Sequence, residues 1–422
     1  MRRWTGSEED ARRTALGAAG TTEVEKNMMH FLLSFLVLMT VAALGPAQTV
    51  GPVQRQDGFW VQMVEGELPA GSEVRVASTG QIRVQGQEIR QVRYRLLKRL
   101  KAGSQQEAEQ LLNQARLRAE RQGAAVVLDL GDPECRRCAF SAQLDIEAPR
   151  DTRRTALDTR GGSLALRNLL GAVVAETAGG SIQIDDIGGE VRATTAGGSI
   201  QLGRVSGRIQ CETAGGSIRL DSAGASAELR TSGGSIQARE VRGDLRAETA
   251  GGGIRAESVG GNLIAATSGG SIHLGEVAGL VDAETAGGSI HVGSAPRGVR
   301  AETAGGGIQL NNVAGKVIAT SASGPIHAYF VPGRPLGDSF LETTAGSIIV
   351  WLPASVAVRV DAVIDFASGS NRFQSDFESI TVQRSEGGFG PGRVVAVGVI
   401  NGGGPVLRIR NTNGRIQIQK RP

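Results

Sequence analysis

Two cysteines stand close together in the sequence, Cys135 and Cys138, with two arginines between them. A structural zinc site needs four ligands, and the sequence offers neither two more cysteines at a suitable spacing nor a nearby histidine. A redox site of the thioredoxin type would open a helix, whereas strand-like sequence follows here. A local disulfide, formed in an oxidising compartment, is therefore the simplest interpretation of this pair.

Three of the four histidines occupy one series of positions spaced by multiples of eighteen residues: His273, His291 and His327. His273 and His291 are one interval apart, so their rings can stack or share a metal ion. The other positions of this series hold polar residues: Gln183, Gln201, Arg219, Gln237, Arg255 and Gln309. The series therefore favours surface side chains. We expect no metal and no cofactor, with His273 and His291 as the candidate ligands if a metal binds.

Paired glycines recur at regular spacing, as they do in the calcium-binding roll of secreted proteins. That roll carries Gly at the fourth position of its repeat and Asp at the sixth, where the carboxylate ligates the ion. Here the fourth position is Val or Ile, the sixth is Ala or Leu, and Asp185 and Asp186 are isolated. The pattern therefore predicts an apolar core in place of calcium sites.

Outward carboxylates recur in the same spacing, near three arginines: Glu176, Glu212, Glu248, Glu284 and Glu302, with Arg192, Arg246 and Arg300. Glycoside hydrolysis needs two carboxylates that face one cleft, about 5 to 9.5 Å apart. Long insertions normally build such a cleft, and the regular repeats contain none. We therefore expect a solvated face of mixed charge, no cleft and no catalytic residues.

The histidines, the paired glycines and the outward carboxylates are all positioned by a repeat of eighteen residues. A short phrase of the type Gly-Gly-Ser-Ile recurs once per eighteen residues. Its final apolar residue falls at Leu164, Ile182, Ile200, Ile218, Ile236, Ile254, Ile272, Ile290, Ile308 and Ile326. Each copy has two halves of nine, and each half opens with glycine and then alternates apolar and polar residues, as strands do. This predicts an all-β chain, a single-chain parallel β-solenoid with 18 residues per coil. Antiparallel hairpins also fit the alternation, but the strict period of eighteen favours parallel stacking.

The series of isoleucines from Ile182 to Ile326 is the predicted core column, and each fully buried Ile contributes about 1.5–3 kcal/mol. It faces a column of small residues in which Cys211 is expected to be an inert buried thiol. The glycines are expected to turn the chain with positive φ. A column of threonines from Thr159 to Thr303 is expected to pair hydroxyl to hydroxyl.

The composition changes before the repeat. Residues 31–44 form a 14-residue apolar run, too short to span a bilayer, and small residues follow it. We interpret 28–48 as a secretory signal peptide and 1–27 as a non-structural leader or a misassigned start. Because no second hydrophobic stretch exists, we expect an exported protein without a membrane span after cleavage, in the periplasm or at the cell surface.

Residues 49–150 are typical of a small α+β unit, predicted to cap the first coil. A capping box at Ser104 begins its helix, whose apolar face extends to Ala119 with Gly123 as the expected stop. We assign 151–333 to ten regular coils. We assign 334–422 to irregular β coils and a cap, because the repeated phrase returns twenty-two residues after its last regular copy.

The chain holds 46 basic and 42 acidic residues, a formal net charge of +4. A basic run between residues 90 and 101 is interpreted as a solvated strand face. Aromatic residues are 4% of the chain, too few for the base stacking of a nucleic-acid-binding protein.

Four phrases carry a resemblance to a known family: the repeated Glu-Thr-Ala-Gly-Gly-Ser-Ile, residues 144–149, residues 349–353 and the closing Asn-Gly-Arg-Ile-Gln-Ile. They resemble a family of uncharacterised bacterial envelope proteins described as β-helical putative adhesins. The resemblance covers about residues 70–420. It implies a β-helical fold and an envelope location, and it implies no catalytic residues.

These observations predict a non-enzymatic exported β-solenoid that serves as an adhesin or as a structural or binding module of the cell envelope. Its expected partner is an envelope polysaccharide or an envelope protein. One alternative is a polysaccharide-active enzyme with its site on the irregular C-terminal coils. Another is an envelope-stress or assembly scaffold with a protein partner, which the sequence does not separate from adhesion.

Overall fold

The computed structural model describes residues 48–133, 139–367, 372–385 and 392–421. Within these ranges the chain forms 35 β-strands and one α-helix. The prediction of an all-β chain with repetitive, parallel strands is confirmed. In the same ranges, no helix has the length and apolar character needed to cross a bilayer.

The chain before the repeat forms nine strands and the helix. They are β1 (Thr49–Val50), β2 (Gln54–Gln56), β3 (Phe59–Pro69), β4 (Glu73–Ser78), β5 (Gln81–Gln87), β6 (Gln91–Leu100), α1 (Gln105–Gln114), β7 (Leu117–Gln122), β8 (Ala125–Leu130) and β9 (Phe140–Pro149). Helix α1 begins as predicted, because the Ser104 side chain accepts a hydrogen bond from the Glu107 amide at 3.2 Å.

The predicted end of this helix is wrong. The helix ends at Gln114, and the residues after it form β7, which pairs antiparallel with β8. Gly123 does not stop a helix; with φ of 60° it turns the chain between these two strands. Pairing with β8 therefore prevails over the helical spacing of Ala115 and Ala119. The ammonium of buried Lys98 donates to carbonyl oxygens at the helix end.

The repeat supplies twenty strands in two alternating series. The even series comprises β10 (Arg154–Thr159), β12 (Ala172–Thr177), β14 (Val191–Thr195), β16 (Ile209–Thr213), β18 (Ala227–Thr231), β20 (Leu245–Thr249), β22 (Leu263–Thr267), β24 (Val281–Thr285), β26 (Gly298–Thr303) and β28 (Lys316–Ser321). The odd series comprises β11 (Leu164–Leu169), β13 (Ile182–Ile187), β15 (Ile200–Val205), β17 (Ile218–Ala223), β19 (Ile236–Val241), β21 (Ile254–Val259), β23 (Ile272–Val277), β25 (Ile290–Ser294), β27 (Ile308–Val313) and β29 (Ile326–Phe330).

Each strand of a series pairs in parallel with the next strand of the same series. In the odd series Ile182 pairs with Ile200, and Ile200 pairs with Ile218. The even series extends into the N-terminal part through β4, which pairs with both β10 and β8. The odd series extends through β5, which pairs with β11 and β9. Two parallel rows of strands, the even row and the odd row, therefore run along the chain.

One hydrophobic core lies between the rows. The isoleucines from Ile182 to Ile326 are at most 2% exposed, and they belong to the same buried cluster as the apolar residues of the even strands. Cys211 takes a small position in this core, paired with Ala193 and Leu229 of neighbouring strands. Alternation along each short strand is what turns every second side chain inward.

The glycines of the repeat act differently from the prediction. Positive φ is found at Gly298, Gly315 and Gly346, but at none of the second glycines of the regular copies, such as Gly180 and Gly198. A Cβ added at Gly198 would instead lie 2.0 Å from the carbonyl oxygen of Gly180 in the turn stacked against it. Adjacent turns approach so closely that no side chain fits between them. Glycine is therefore required here by contact between repeats.

The threonine column also differs from the prediction, because the hydroxyls do not pair with one another. The Thr213 hydroxyl donates to the carbonyl oxygen of Gly198 at 2.8 Å and accepts from the amide of Gly216 at 3.2 Å. The same two bonds recur at Thr177, Thr195, Thr231, Thr249, Thr267, Thr285 and Thr303. Each threonine thus fastens its own turn to the turn of the preceding repeat.

The C-terminal end is built from longer strands: β30 (Ser339–Pro353), β31 (Val358–Ala367), β32 (Phe373–Ser375), β33 (Ile380–Ser385), β34 (Gly392–Ile400) and β35 (Val406–Arg421). Strand β30 continues both rows, pairing with β28 through its first half and with β29 through its second. Ile348 pairs with Ile326, so the register resumes after twenty-two residues as the sequence indicates. Beyond β35 the even row continues through β31, β34 and β33.

Candidate functional site

A continuous groove runs along the outer side of the even row. It consists of two adjoining cavities of about 970 and 450 Å³, which share Glu212, Thr213 and Ser232. One side is the outward column Asp158, Glu176, Thr194, Glu212, Arg230, Glu248, Ala266, Glu284, Glu302, Thr320 and Glu342. The other side is the column Ala178, Ala196, Ala214, Ser232, Ala250, Ser268, Ala286, Ala304 and Ala322.

The repeat builds this groove from three consecutive positions. The first points outward from the end of an even strand, as Glu212 does. The second, Thr213, points inward and is fixed by its bonds to the two glycine turns. The third, Ala214, begins the turn and is too small to fill the corner. Because these positions recur in register, the corner becomes a groove that follows the stack.

The sequence analysis expected a face without a cleft, and the structure adds a shallow groove along that face. The carboxylates named from the sequence were placed on one face correctly, since Glu284 pairs with Glu302 in adjacent strands. What the sequence analysis missed is the small residue that follows each threonine and leaves the corner open. Asp158, Arg230 and Glu342 belong to the same column and were missed too. The eighteen-residue register would have found Asp158 and Arg230, and the twenty-two-residue step would have found Glu342.

Part of the charge in the groove is neutralised by arginines. Arg230 binds Glu228 at 2.5 Å and Glu248 at 2.9 Å, and Arg246 pairs with Glu248 as well. Burial raises the pKa of Glu248, but the hydrogen bond from Arg230 and the charge of Arg246 outweigh it, so the pKa lies below its usual value. In a second cluster Arg300 binds Asp282 at 3.1 Å and Glu302 at 2.7 Å.

Other carboxylates of the groove carry no such partner. Within the described residues, Glu176, Glu212, Glu284 and Glu342 form no ion pair. The groove lining holds seven carboxylates against the guanidinium groups of Arg160 and Arg230. A chain with a formal net charge of +4 therefore carries one extended acidic surface.

The three histidines among the described residues lie on the odd row, away from the groove. His273 and His291 are register partners whose ring centroids are 6.2 Å apart, with planes inclined by 36°. Burial, together with the charges of His291 and Arg255, lowers the pKa of His273. His327 contacts Trp351 edge to face at 5.9 Å, and burial lowers its pKa. In the described part of the chain no three His, Cys, Asp or Glu residues are grouped as metal ligands.

Two of the three cysteines lie outside the described residues, and the third is buried in the core. Cys135 and Cys138, and with them the predicted disulfide, lie outside the described residues, as do residues 28–47 of the predicted signal segment 28–48. Cys211 is buried among aliphatic side chains, and this burial raises the pKa of its thiol to about 12. A thiol with that pKa is not ionised at neutral pH and is a poor nucleophile.

Comparison with known proteins finds similar solved structures at low sequence identity. No family model matches the sequence, and no curated protein matches it. The chain is similar to a solved putative cell adhesion protein from Clostridium sporogenes, at 9% identity and a TM-score of 0.17, over 89% of this chain and 100% of that one. A putative lipid binding protein from Parabacteroides distasonis gives 11% identity and a TM-score of 0.21, over 73% and 95%. A putative adhesin from Bacteroides fragilis gives 10% identity and a TM-score of 0.17, over 90% and 98%.

Proposed function

We propose that this chain is an exported, non-enzymatic β-solenoid, one coil per eighteen-residue repeat, that acts as a binding module of the cell envelope. The observation that carries this proposal is the groove, whose two adjoining cavities are lined by seven carboxylates between Asp158 and Glu342. Export rests on the apolar run before residue 48. The family of β-helical envelope proteins that the sequence resembles fits the same role.

The shape of the groove favours an extended partner. Equivalent positions recur about 4.8 Å apart from strand to strand, so a linear chain meets the same pair of columns again and again. Each contact is weak because the carboxylates are exposed, and affinity comes from their number. A compact small molecule would instead need a concave pocket with converging polar groups.

The charge of the groove limits the chemistry of the partner. Glu212, Glu284 and Glu342 repel anionic polymers and attract cationic ones, most strongly at low ionic strength. The partner is therefore an envelope polysaccharide or an extended envelope protein segment that is neutral or positively charged. Catalysis is not part of the proposal: Glu248 and Glu302 are held by arginines, and the threonine hydroxyls are committed to the glycine turns.

Three labelled polymers of equal length test this proposal: oligolysine, neutral dextran and anionic hyaluronan, each titrated with the purified protein and followed by fluorescence anisotropy. We expect affinity to fall in that order and to weaken as salt is added. The variant Glu212→Gln/Glu284→Gln/Glu342→Gln should lose most of the preference for oligolysine.

The matched control removes three carboxylates from the odd row, Glu240→Gln/Glu257→Gln/Glu276→Gln, and changes the net charge by the same amount. It should keep the wild-type order of affinities. Envelope material that the control retains and the groove variant does not, analysed by mass spectrometry and sugar analysis, then identifies the natural partner. Preference for hyaluronan, or equal losses in both variants, would contradict binding in the groove.

A further inference from the structure

The outermost strands at the two ends of the sheet differ in length and in charge. At the N-terminal end, β1 and β2 are two and three residues long, and both pair with β3. The other outer strand there, β7, carries Arg118, Glu120 and Arg121, with Arg118 and Glu120 joined at 2.7 Å. Short strands and charged side chains are the features by which proteins keep sheet edges from pairing.

At the C-terminal end the odd row also ends on a short strand, β32 of three residues, whereas the even row ends on a longer one. Strand β33 has six residues, pairs with β34 along its length and, among the described residues, with no other strand. Arg384 is its single charged residue, and no proline interrupts it. Among the described residues, the backbone amides and carbonyls on one side of β33 therefore have no strand to pair with.

Exposed apolar side chains lie on β33 and on the two strands that precede it in the even row. Val382 of β33 is 38% exposed, and Val397 and Val399 of β34, on the opposite face of the sheet, are 43% and 49% exposed. Phe366 of β31 is 51% exposed. These four are nearly half of the large exposed apolar residues in the described ranges. Apolar exposure of this kind, next to an open edge, is typical of a surface that pairs with another chain.

We propose that β33 pairs with β33 of a second copy of this chain, which joins two molecules at their C-terminal ends. An antiparallel pair with a two-fold axis perpendicular to the sheet keeps each side chain on its own face, so residues of equal parity face each other. Centred on Val382, this pairing places Val382 against Val382, Thr381 against Gln383 and Arg384 against Ile380.

The charges that face each other, and the fact that the pairing ends at two chains, both favour a second copy as the partner of β33. In the pairing centred on Val382 no like charges face each other, because Arg384 lies opposite an apolar residue. Pairing of β33 with the N-terminal edge of another copy would build an open filament, but the charges of β7 and the shortness of β1 and β2 disfavour it. The symmetric pairing uses both open edges and stops at two chains.

Light scattering and small-angle X-ray scattering of the purified full chain test the proposal. The expected mass is about twice that of one chain, and the longest dimension should be close to twice that of a monomer, because the two copies join end to end. Val382→Lys places two ammonium groups opposite each other and should give a monomer with unchanged thermal melting. Ile264→Lys, at a position 39% exposed in the middle of the even row, should remain dimeric.

A cysteine at the axis gives an independent measurement. Val382→Cys should form a disulfide-linked dimer on mild oxidation, whereas Ile264→Cys should not. A monomer at every concentration tested would overturn the proposal. A monomer is also the result expected if β33 pairs with a strand of a different protein. A dimer that survives Val382→Lys and does not crosslink through Cys at position 382 would overturn it too.

Discussion

The repeat and the C-terminal end both stack parallel strands, but they differ in how the strands are held in register. In the repeat every strand is five or six residues long and pairs with the equivalent strand of the next copy, and glycine and threonine fix each turn against its neighbour. At the end, β30 and β35 run through both rows and pair along their length although their residues are 68 positions apart, as Ile348 and Ile416 are. Register in the repeat is thus set locally, whereas register at the end depends on distant segments meeting.

Substitution by a charged residue should reduce stability most in the core of the repeat. In Ile254→Asp a carboxylate replaces a side chain that is 2% exposed and has no cationic neighbour, so we expect unfolding to become easier by about 3–5 kcal/mol. Val399→Asp at the C-terminal end, where the side chain is 49% exposed, should change stability by less than about 0.5 kcal/mol. Urea titration of both variants gives the comparison, and equal losses would show that the two regions do not differ in this way.

The glycine turns should come next. Gly198→Ala brings a methyl group against the backbone of the preceding turn and should cost about 3 kcal/mol. Gly197→Ala, one residue away, meets no atom closer than 3.5 Å and should be close to neutral. Thermal melting of this adjacent pair separates contact between turns from a general intolerance of alanine, and two equal melting temperatures would exclude the contact.

The threonine bonds should have a smaller effect. Thr213→Val keeps the shape but removes one donor and one acceptor that serve half-buried turn groups, so we expect a loss of about 1–3 kcal/mol. Thr213→Ser keeps the hydroxyl and should retain most of the stability, as Ser321 makes the same two bonds in its own repeat. If the valine variant melts like the wild type, the threonine column does not hold the turns together.

The sequence predicts much of the repeat because its information is periodic. Alternation places Ile254 inside and Glu248 outside, and the period of eighteen selects Ile200 as the partner of Ile182. The roles of Gly198 and Thr213 were predicted incorrectly, because a single repeat does not show how closely two turns approach. The groove was missed for the same reason: the absence of a side chain beyond Ala214 matters only when successive corners line up.

The N-terminal end adds a charge that responds to pH. Burial lowers the pKa of Lys98 to about 8, although its ammonium donates to the carbonyls of Leu112 at 2.7 Å and Ala115 at 3.1 Å. Since the unfolded chain keeps this proton up to about pH 10.4, it binds more protons than the folded chain between these values, and stability should rise with pH there.

Lys98→Met should flatten that rise. Urea titrations at about pH 8, 8.5 and 9 compare the slopes, which do not depend on the two hydrogen bonds that the variant also loses. Burial raises the pKa of Tyr94, which opposes the effect above about pH 10, so the comparison stays below that value. Identical slopes in the two proteins would mean that Lys98 is not the titrating group.

Deletion of one whole repeat tests the central claim, that binding is spread along the groove, most directly. Removing Gly234 to Gly251 joins Gly233 to Gly252 and keeps the eighteen-residue register, so the fold should persist and the groove should shorten by one unit. Anisotropy titration with oligolysine should then show affinity falling only a few-fold, with the dependence on salt retained. Complete loss of binding in a folded deletion variant would place the site at one point of the chain, and loss of a measurable hydrolytic activity on envelope polysaccharide would replace the binding module with an enzyme.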